Sequence, residues 1–259
     1  MNITSTETPQ TPIAEEAGNM SLMDHVREIR DRLFKCVIAV VIACAISFIF
    51  AERVMQILVQ PYGGTIIATT PWEGLTNAFT VAMTMAVTLT LPFLLYQFLA
   101  FIMPGLYESE KRWIYIGLPF GFLLFLIGAA FAWLVLLPSS IKFLTGIFPT
   151  VITFTLRAEE YLPFVTGIIF WMGVAFEMPL IIFILAKTNV VSGRILAARW
   201  RYAVVIIAII AMFITPTPDP LNMGLVMVPL LILYGISIVL ALLARRGKTI
   251  PAVLDPDEK

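Results

Sequence analysis

The sequence predicts an all-α polytopic membrane protein with six transmembrane helices, and three observations carry that expectation. Of 259 residues, 59% are apolar and only 13% are charged, which is more apolar surface than a soluble core of this size buries. The apolar residues gather into six blocks separated by segments that hold most of the charge. The basic residues fall mainly on alternate connections, the pattern that orients a chain in a membrane.

In chain order, residues 1–20 are polar, rich in Thr and Pro, and carry Glu7, Glu15 and Glu16. They read as a disordered, uncleaved cytoplasmic tail and lack the basic start of a signal peptide. Ser21 with Asp24 three residues later has the form of a helix-capping pair, and Leu22, Val26, Ile29 and Leu33 then share one helical stripe. The remaining face is charged, with Arg27/Asp31 and Glu28/Arg32 spaced four apart so that each pair meets across one turn. Two readings stand: a solvated amphipathic helix lying in the interface ahead of the first span, or a binding surface.

The six apolar blocks run over Phe34–Ala51, Leu75–Leu99, Ile114–Leu137, Leu162–Ala186, Tyr202–Ile214 and Leu221–Leu243. The fifth is short: 13 residues between Arg201 and Thr215-Pro216 reach only about 20 Å as a helix, less than the roughly 30 Å of hydrocarbon in a bilayer. Its partner begins from the breaker-rich TPTPDP and contains Pro229, so the fifth and sixth helices form a hairpin that thins the bilayer or stops short of its far side. The outer loops Glu52–Gly74 and Pro138–Tyr161 exceed what a helix connection needs and are expected to cap the outer face. No internal repeat or low-complexity linker divides the spans, so 21–243 reads as one membrane domain and 244–259 as a C-terminal tail.

With the N terminus inside, fourteen Lys and Arg residues lie on inner segments and three, Arg53, Lys142 and Arg157, on outer ones. Both termini are therefore expected in the cytoplasm. The Pro104-Gly105 turn then faces the cytoplasm, with Glu108, Glu110, Lys111 and Arg112 beside it.

Composition also excludes. A formal net charge of zero, with no basic-aromatic interleaving, argues against nucleic acid. Cys36 and Cys44 lie about two helical turns apart, too far for a disulfide, and with one histidine they cannot build a metal cluster. No nucleophile motif, phosphate-binding loop or dinucleotide fingerprint occurs, and His25 sits alone on the amphipathic segment. An enzyme, a cofactor and a metal site are all unexpected.

One intramembrane residue stands out. Glu177 lies about nine residues from the inner end of the fourth block, roughly 13 Å deep. An ionised carboxylate there costs roughly 2.5–3.5 kcal/mol, so it faces water or protein interior, or keeps its proton. Pro179 removes an N–H beside it, and together they suggest a polar notch. A structural Glu bonded to a neighbouring helix is the plainer reading. Thr80, Thr84 and Thr88 share a face and read as helix-packing residues.

Several stretches in one order resemble a known family. HVREIRDRL from His25 is similar to the HLxELRxRL opening of TatC, the polytopic subunit of the twin-arginine protein translocase. YQFLAFIMPGLYESEKR from Tyr96 resembles YQxWAFxxPGLxxxEKR, MGVAFEMPL resembles FGxxFExP, and FITPTPDPLN with VPLLILY resembles LTPPDxxSQ and the span after it. The chain differs where the family carries FxxxIK early in the second span, at the loop Trp (Phe98 here), at Ser-Gln (Leu221-Asn222) and at a YE pair (Tyr234-Gly235). The resemblance implies a multi-pass protein of a prokaryotic plasma membrane that recognises twin-arginine signal peptides of folded precursors. It implies assembly with TatA- and TatB-type single-span partners into a multimeric complex, with no cofactor. Signal recognition would fall to Glu28, Phe101 and Glu110, with Glu108 a neighbouring loop charge. The competing reading from residues alone is a proton-coupled secondary transporter that uses Glu177.

Overall fold

A computed structural model of the chain describes residues 22–64, 66–102, 108–146, 156–187, 190–215 and 220–244; of 22–25, 102 and 108–115 only the backbone is described. The tails expected at 1–20 and after Ala244 lie outside these residues, as do the Pro104-Gly105 turn and residues 216–219.

Nine helices are described: α1 (Leu22–Val59), α2 (Glu73–Ile102), α3 (Glu108–Phe131), α4 (Leu137–Gly146), α5 (Ala158–Phe176), α6 (Met178–Lys187), α7 (Gly193–Ala198), α8 (Trp200–Ile214) and α9 (Pro220–Ala244). They reduce to the six expected spans. Five helical stretches are long and apolar enough to cross a membrane, and α8 is the shorter sixth.

The boundaries show where backbone chemistry overrides the apolar pattern. The amphipathic segment is not a separate interfacial helix: α1 runs unbroken for 38 residues, about 57 Å, because no Gly or Pro occurs between Leu22 and Val59. It stops where Pro61 enters a 3₁₀ turn over Gln60–Tyr62 and Gly63 takes φ 68°, a left-handed conformation suited to glycine. The third span passes through a π-helical turn, Ala132–Leu136, into α4. Pro138 stands two residues past that turn, and its missing N–H leaves the carbonyl of Leu134, within the turn, to be accommodated by the wider winding.

Proline also divides the fourth span. The ring of Pro179 conflicts with the carbonyl of Ala175, and the helix breaks at Glu177. There the Glu177 N–H donates to Val174 (3.1 Å), and winding resumes as the Ile181 N–H donates to Glu177 (3.0 Å). The block read as Leu162–Ala186 is thus two helices, α5 and α6. The fifth span keeps its shortness: α8 has 15 residues, about 22 Å.

In the bundle α1 packs along α2, α5 sits against α2 and α3, and α6 and α8 rest on α9. The core is aliphatic and aromatic, with Phe125, Leu136, Leu162, Val165 and Met172 almost fully buried. Large side chains such as Phe213, Tyr202 and Ile49 face outward, as lipid-facing residues do. Among the described glycines the closest approach to another helix's backbone is at Gly128 of α3, where a Cβ would lie 2.8 Å from the Met172 carbonyl oxygen. Backbone cannot yield there as a flexible side chain can. Gly128→Leu is therefore expected to destabilise the bundle by about 1–3 kcal/mol or more, read as a lower thermal midpoint in detergent. An unchanged midpoint would show that α3 and α5 separate freely.

At the end of the bundle opposite the α2–α3 connection, the two long loops meet. Ile67 N–H donates to Leu156 (3.1 Å) and Ala158 N–H to Ile67 (2.9 Å), a two-bond bridge between the loops. Glu73, buried at the start of α2, accepts from the backbone and hydroxyl groups of Thr69 and Thr70. Arg157 donates to Thr69 (3.0 Å) and Glu159 (3.0 Å) and lies 3.7 Å from Glu73. Below them the Tyr161 hydroxyl donates to Leu58 (2.9 Å), which ties the end of α1 to α5.

Candidate functional site

The charged end of α1 builds the first part of the site. Helical spacing sets Glu28 one turn before Arg32, and the Arg32 guanidinium donates twice to Glu28 Oε1, from Nε (3.0 Å) and Nη2 (2.5 Å). Both side chains are about one-quarter exposed (24% and 25%), so the pair is partly desolvated and stronger than a solvated one. The second expected pair is different: Asp31 takes the guanidinium of Arg30 (2.8 and 2.9 Å), and that pair is exposed.

Arg32 reaches further. Its Nη1 donates to Gln97 Oε1 of α2 at 3.3 Å, across 65 residues of sequence. Gln97 is buried, and this contact pins the charged end of α1 to α2. Phe101 follows Gln97 by one turn on the same face, while Glu28 precedes Arg32 by one turn on an antiparallel neighbour. Glu28 and Phe101 thus share the next layer toward the end of the bundle. Glu28 Oε2 carries no hydrogen bond among the described residues and is available to a donor. Glu108 and Glu110 stand in the first turn of α3, which follows the same end of α2. Their side chains lie outside the described residues.

Glu177 forms a second, separate feature. It occupies the break between α5 and α6, is 2% exposed, and neither carboxylate oxygen has a hydrogen-bond partner among the described residues. Its Oε2 lies over Gly121 of α3, 2.9 Å from where a Cβ would stand, and Leu180 and Leu95 close the same space. The notch exists because position 121 has no side chain. By contrast, the hydroxyls of Thr80, Thr84 and Thr88 each donate to the carbonyl four residues back (2.9–3.0 Å), so they are satisfied within α2.

Sequence reading missed Gln97, although an amide in an apolar block one turn ahead of Phe101 was a usable signal. It also missed the Glu73–Arg157 loop clasp, which no periodicity announces. Cys36 and Cys44 are free, half-buried thiols on α1.

These features define a polytopic membrane protein of six spans, with a partly desolvated ion pair at one end of the first two helices, a loop clasp at the other end and a buried carboxyl group at a break within the fourth span. The family model of Sec-independent protein translocase protein (TatC) matches residues 24–229. The chain is 38% identical over 237 residues to the Sec-independent protein translocase protein TatC of Aquifex aeolicus, covering 88% of this chain and 98% of that one. It is 36% identical to that of Helicobacter pylori strain 26695, covering 85% and 87%, and 34% identical to that of Deinococcus radiodurans, covering 98% and 94%. A crystal structure of the twin-arginine translocase receptor TatC superposes with a TM-score of 0.74 at 36% identity, covering 85% of this chain and 99% of that one.

The chain belongs to the TatC family. It is a Sec-independent protein translocase component, a multi-pass protein of the plasma membrane and not an enzyme.

Proposed function

We propose that this chain is the receptor of its translocase: it reads the twin-arginine motif of signal peptides on folded precursors and scaffolds TatA- and TatB-type single-span proteins around itself. The observation that carries this reading is the layer formed by Glu28 and Phe101, held in place by the Arg32–Gln97 contact. A guanidinium needs a fixed carboxylate, and Glu28 Oε2 offers a partly desolvated acceptor whose partner oxygen is immobilised. Phe101 supplies apolar contact beside it, and Glu110 supplies the second carboxylate that a pair of arginines requires. The likeness to the solved twin-arginine translocase receptor TatC supports the same assignment.

The site works only if it faces the compartment where precursors fold. The fourteen-to-three distribution of Lys and Arg supports a cytoplasmic position for it and for both termini. Cysteine labels at Gly64 and Thr150 are expected to react from outside intact cells, and labels at Ser109 and Lys248 only after permeabilisation. The reverse pattern would remove the proposed site from the precursor's compartment. The function itself is tested by co-purification of the chain with a twin-arginine precursor from membranes. Recovery of a Lys-Lys precursor in equal amount would refute recognition of the motif.

A further inference from the structure

The carboxylate offered to a signal arginine is already held by an arginine of the chain itself. Arg32 places Nε (3.0 Å) and Nη2 (2.5 Å) on one oxygen, Glu28 Oε1, and turns Nη1 away to Gln97 (3.3 Å). A fork that met both oxygens would fill the carboxylate, whereas this side-on contact leaves Oε2 open and offsets the charge that Oε2 presents. Gln97 matters here because its amide is neutral. It accepts a hydrogen bond from the guanidinium without cancelling its charge, so that charge remains to act on Glu28.

The neighbouring sequence does not make up the loss. From Leu22 to Lys35 the chain has four Lys and Arg residues against three carboxylates, and from Glu108 to Arg112, at the start of α3, it has two of each. No net acidic surface therefore draws a dibasic peptide to this end of the bundle. For an incoming cation Arg32 has two opposed effects: it orients the Glu28 carboxylate, and it repels the guest. Both side chains are only about one-quarter exposed, so two cations on one carboxylate are poorly screened. Their repulsion exceeds the freedom that one glutamate side chain loses on being held.

We infer that Arg32 is an affinity-setting residue of the receptor site, a resident competitor steadied by Gln97 that keeps Glu28 from retaining a cation offering charge alone. The inference rests on the reading of Glu28 as an acceptor of the signal arginines. An ammonium brings a compact charge and meets a carboxylate already offset; a guanidinium adds directed N–H bonds that the offset does not remove. The same competition keeps a bound precursor releasable.

Titration of labelled precursors onto vesicles holding the full chain tests this. Arg32→Gln keeps an N–H within reach of Glu28 and removes the charge, and is expected to tighten binding of an Arg-Arg precursor about fivefold and to make a Lys-Lys precursor bind measurably. Gln97→Glu leaves Arg32 in place but draws its charge toward α2, and is expected to tighten binding about threefold. Arg30→Gln makes the same change in net charge at the exposed pair with Asp31, and is expected to alter binding by less than about twofold. Combined with Glu28→Gln, the gain from Arg32→Gln should vanish, because it acts through that carboxylate. Unchanged or weaker binding in either Arg32→Gln or Gln97→Glu, at an unaltered thermal midpoint, would overturn the inference and leave Arg32 as a positioning residue. An equal gain from Arg30→Gln would overturn it too, by showing a general effect of charge. Glu28→Gln binding as tightly as the unaltered chain would instead remove Glu28 from recognition, and with it the reading on which this inference rests.

Discussion

Glu110→Lys is expected to abolish precursor binding, and Glu110→Gln to weaken it at least tenfold, about 1.4 kcal/mol. The structure sharpens the reason. Glu28 has one oxygen committed to Arg32, and the Arg32 charge offsets its own, so Glu28 alone does not neutralise two incoming arginines. A second carboxylate must carry the remaining charge, and the first turn of α3 puts Glu110 at the right end of the bundle. Removing one partner of a partly buried Arg–carboxylate pair costs about 2–5 kcal/mol, against roughly 0–1 for a solvated pair, so the size of the loss separates the two roles. Glu108→Gln should do much less. A precursor with its Arg pair changed to Lys is expected to bind the unaltered chain poorly and to discriminate little against Glu110→Gln, because an ammonium cannot reproduce the two-pronged contact. Titration of labelled precursors in a double-mutant cycle measures this coupling. Strict additivity would mean that Glu110 does not touch the arginines and orients a helix or a partner instead.

What the sequence made legible follows from where polarity interrupts an apolar background. The six spans, the short α8 and the Glu28–Arg32 pair each rest on a local rule of length or spacing, and local rules survive any tertiary arrangement, whereas the division of the fourth span at Glu177 was read only as a missing N–H beside Pro179. Continuity of α1 was also written in the sequence, as the absence of a breaker, but the change from amphipathic to uniformly apolar composition at Phe34 suggested a boundary that the backbone does not need. The Arg32–Gln97 contact was illegible for a different reason. In a helix apolar on every side, periodicity does not tell which face meets a neighbour, so no pattern within α2 pointed Gln97 toward α1. The same holds for Gly121 beneath Glu177, whose importance lies in a side chain that is missing.

Glu177 offers the second large effect, because here stability and transport are expected to move in opposite directions. Its carboxylate is buried with neither oxygen bonded among the described residues, and leaving a buried polar group unsatisfied costs roughly 1–3 kcal/mol. A residue kept only for packing would not carry that cost, since Met fills nearly the same volume without it. Glu177→Met is therefore expected to leave the chain inserted and to hold or raise its thermal midpoint in detergent, while precursor transport into vesicles falls severalfold. Precursor binding should be unchanged, as Glu28 and Phe101 lie at the end of the bundle and Glu177 at the α5–α6 break. Glu177→Gln should transport better than Glu177→Met, because the amide restores a group that can accept and donate hydrogen bonds within the notch over Gly121. Gly121→Ala, whose Cβ would stand 2.9 Å from Glu177 Oε2, is expected to impair transport as well, by forcing the carboxylate out of its place. A thermal midpoint that drops in Glu177→Met, with transport in proportion to the folded protein remaining, would make Glu177 a structural residue. A raised or unchanged midpoint with lost transport means that the unpaired carboxylate waits for a partner that arrives only during translocation.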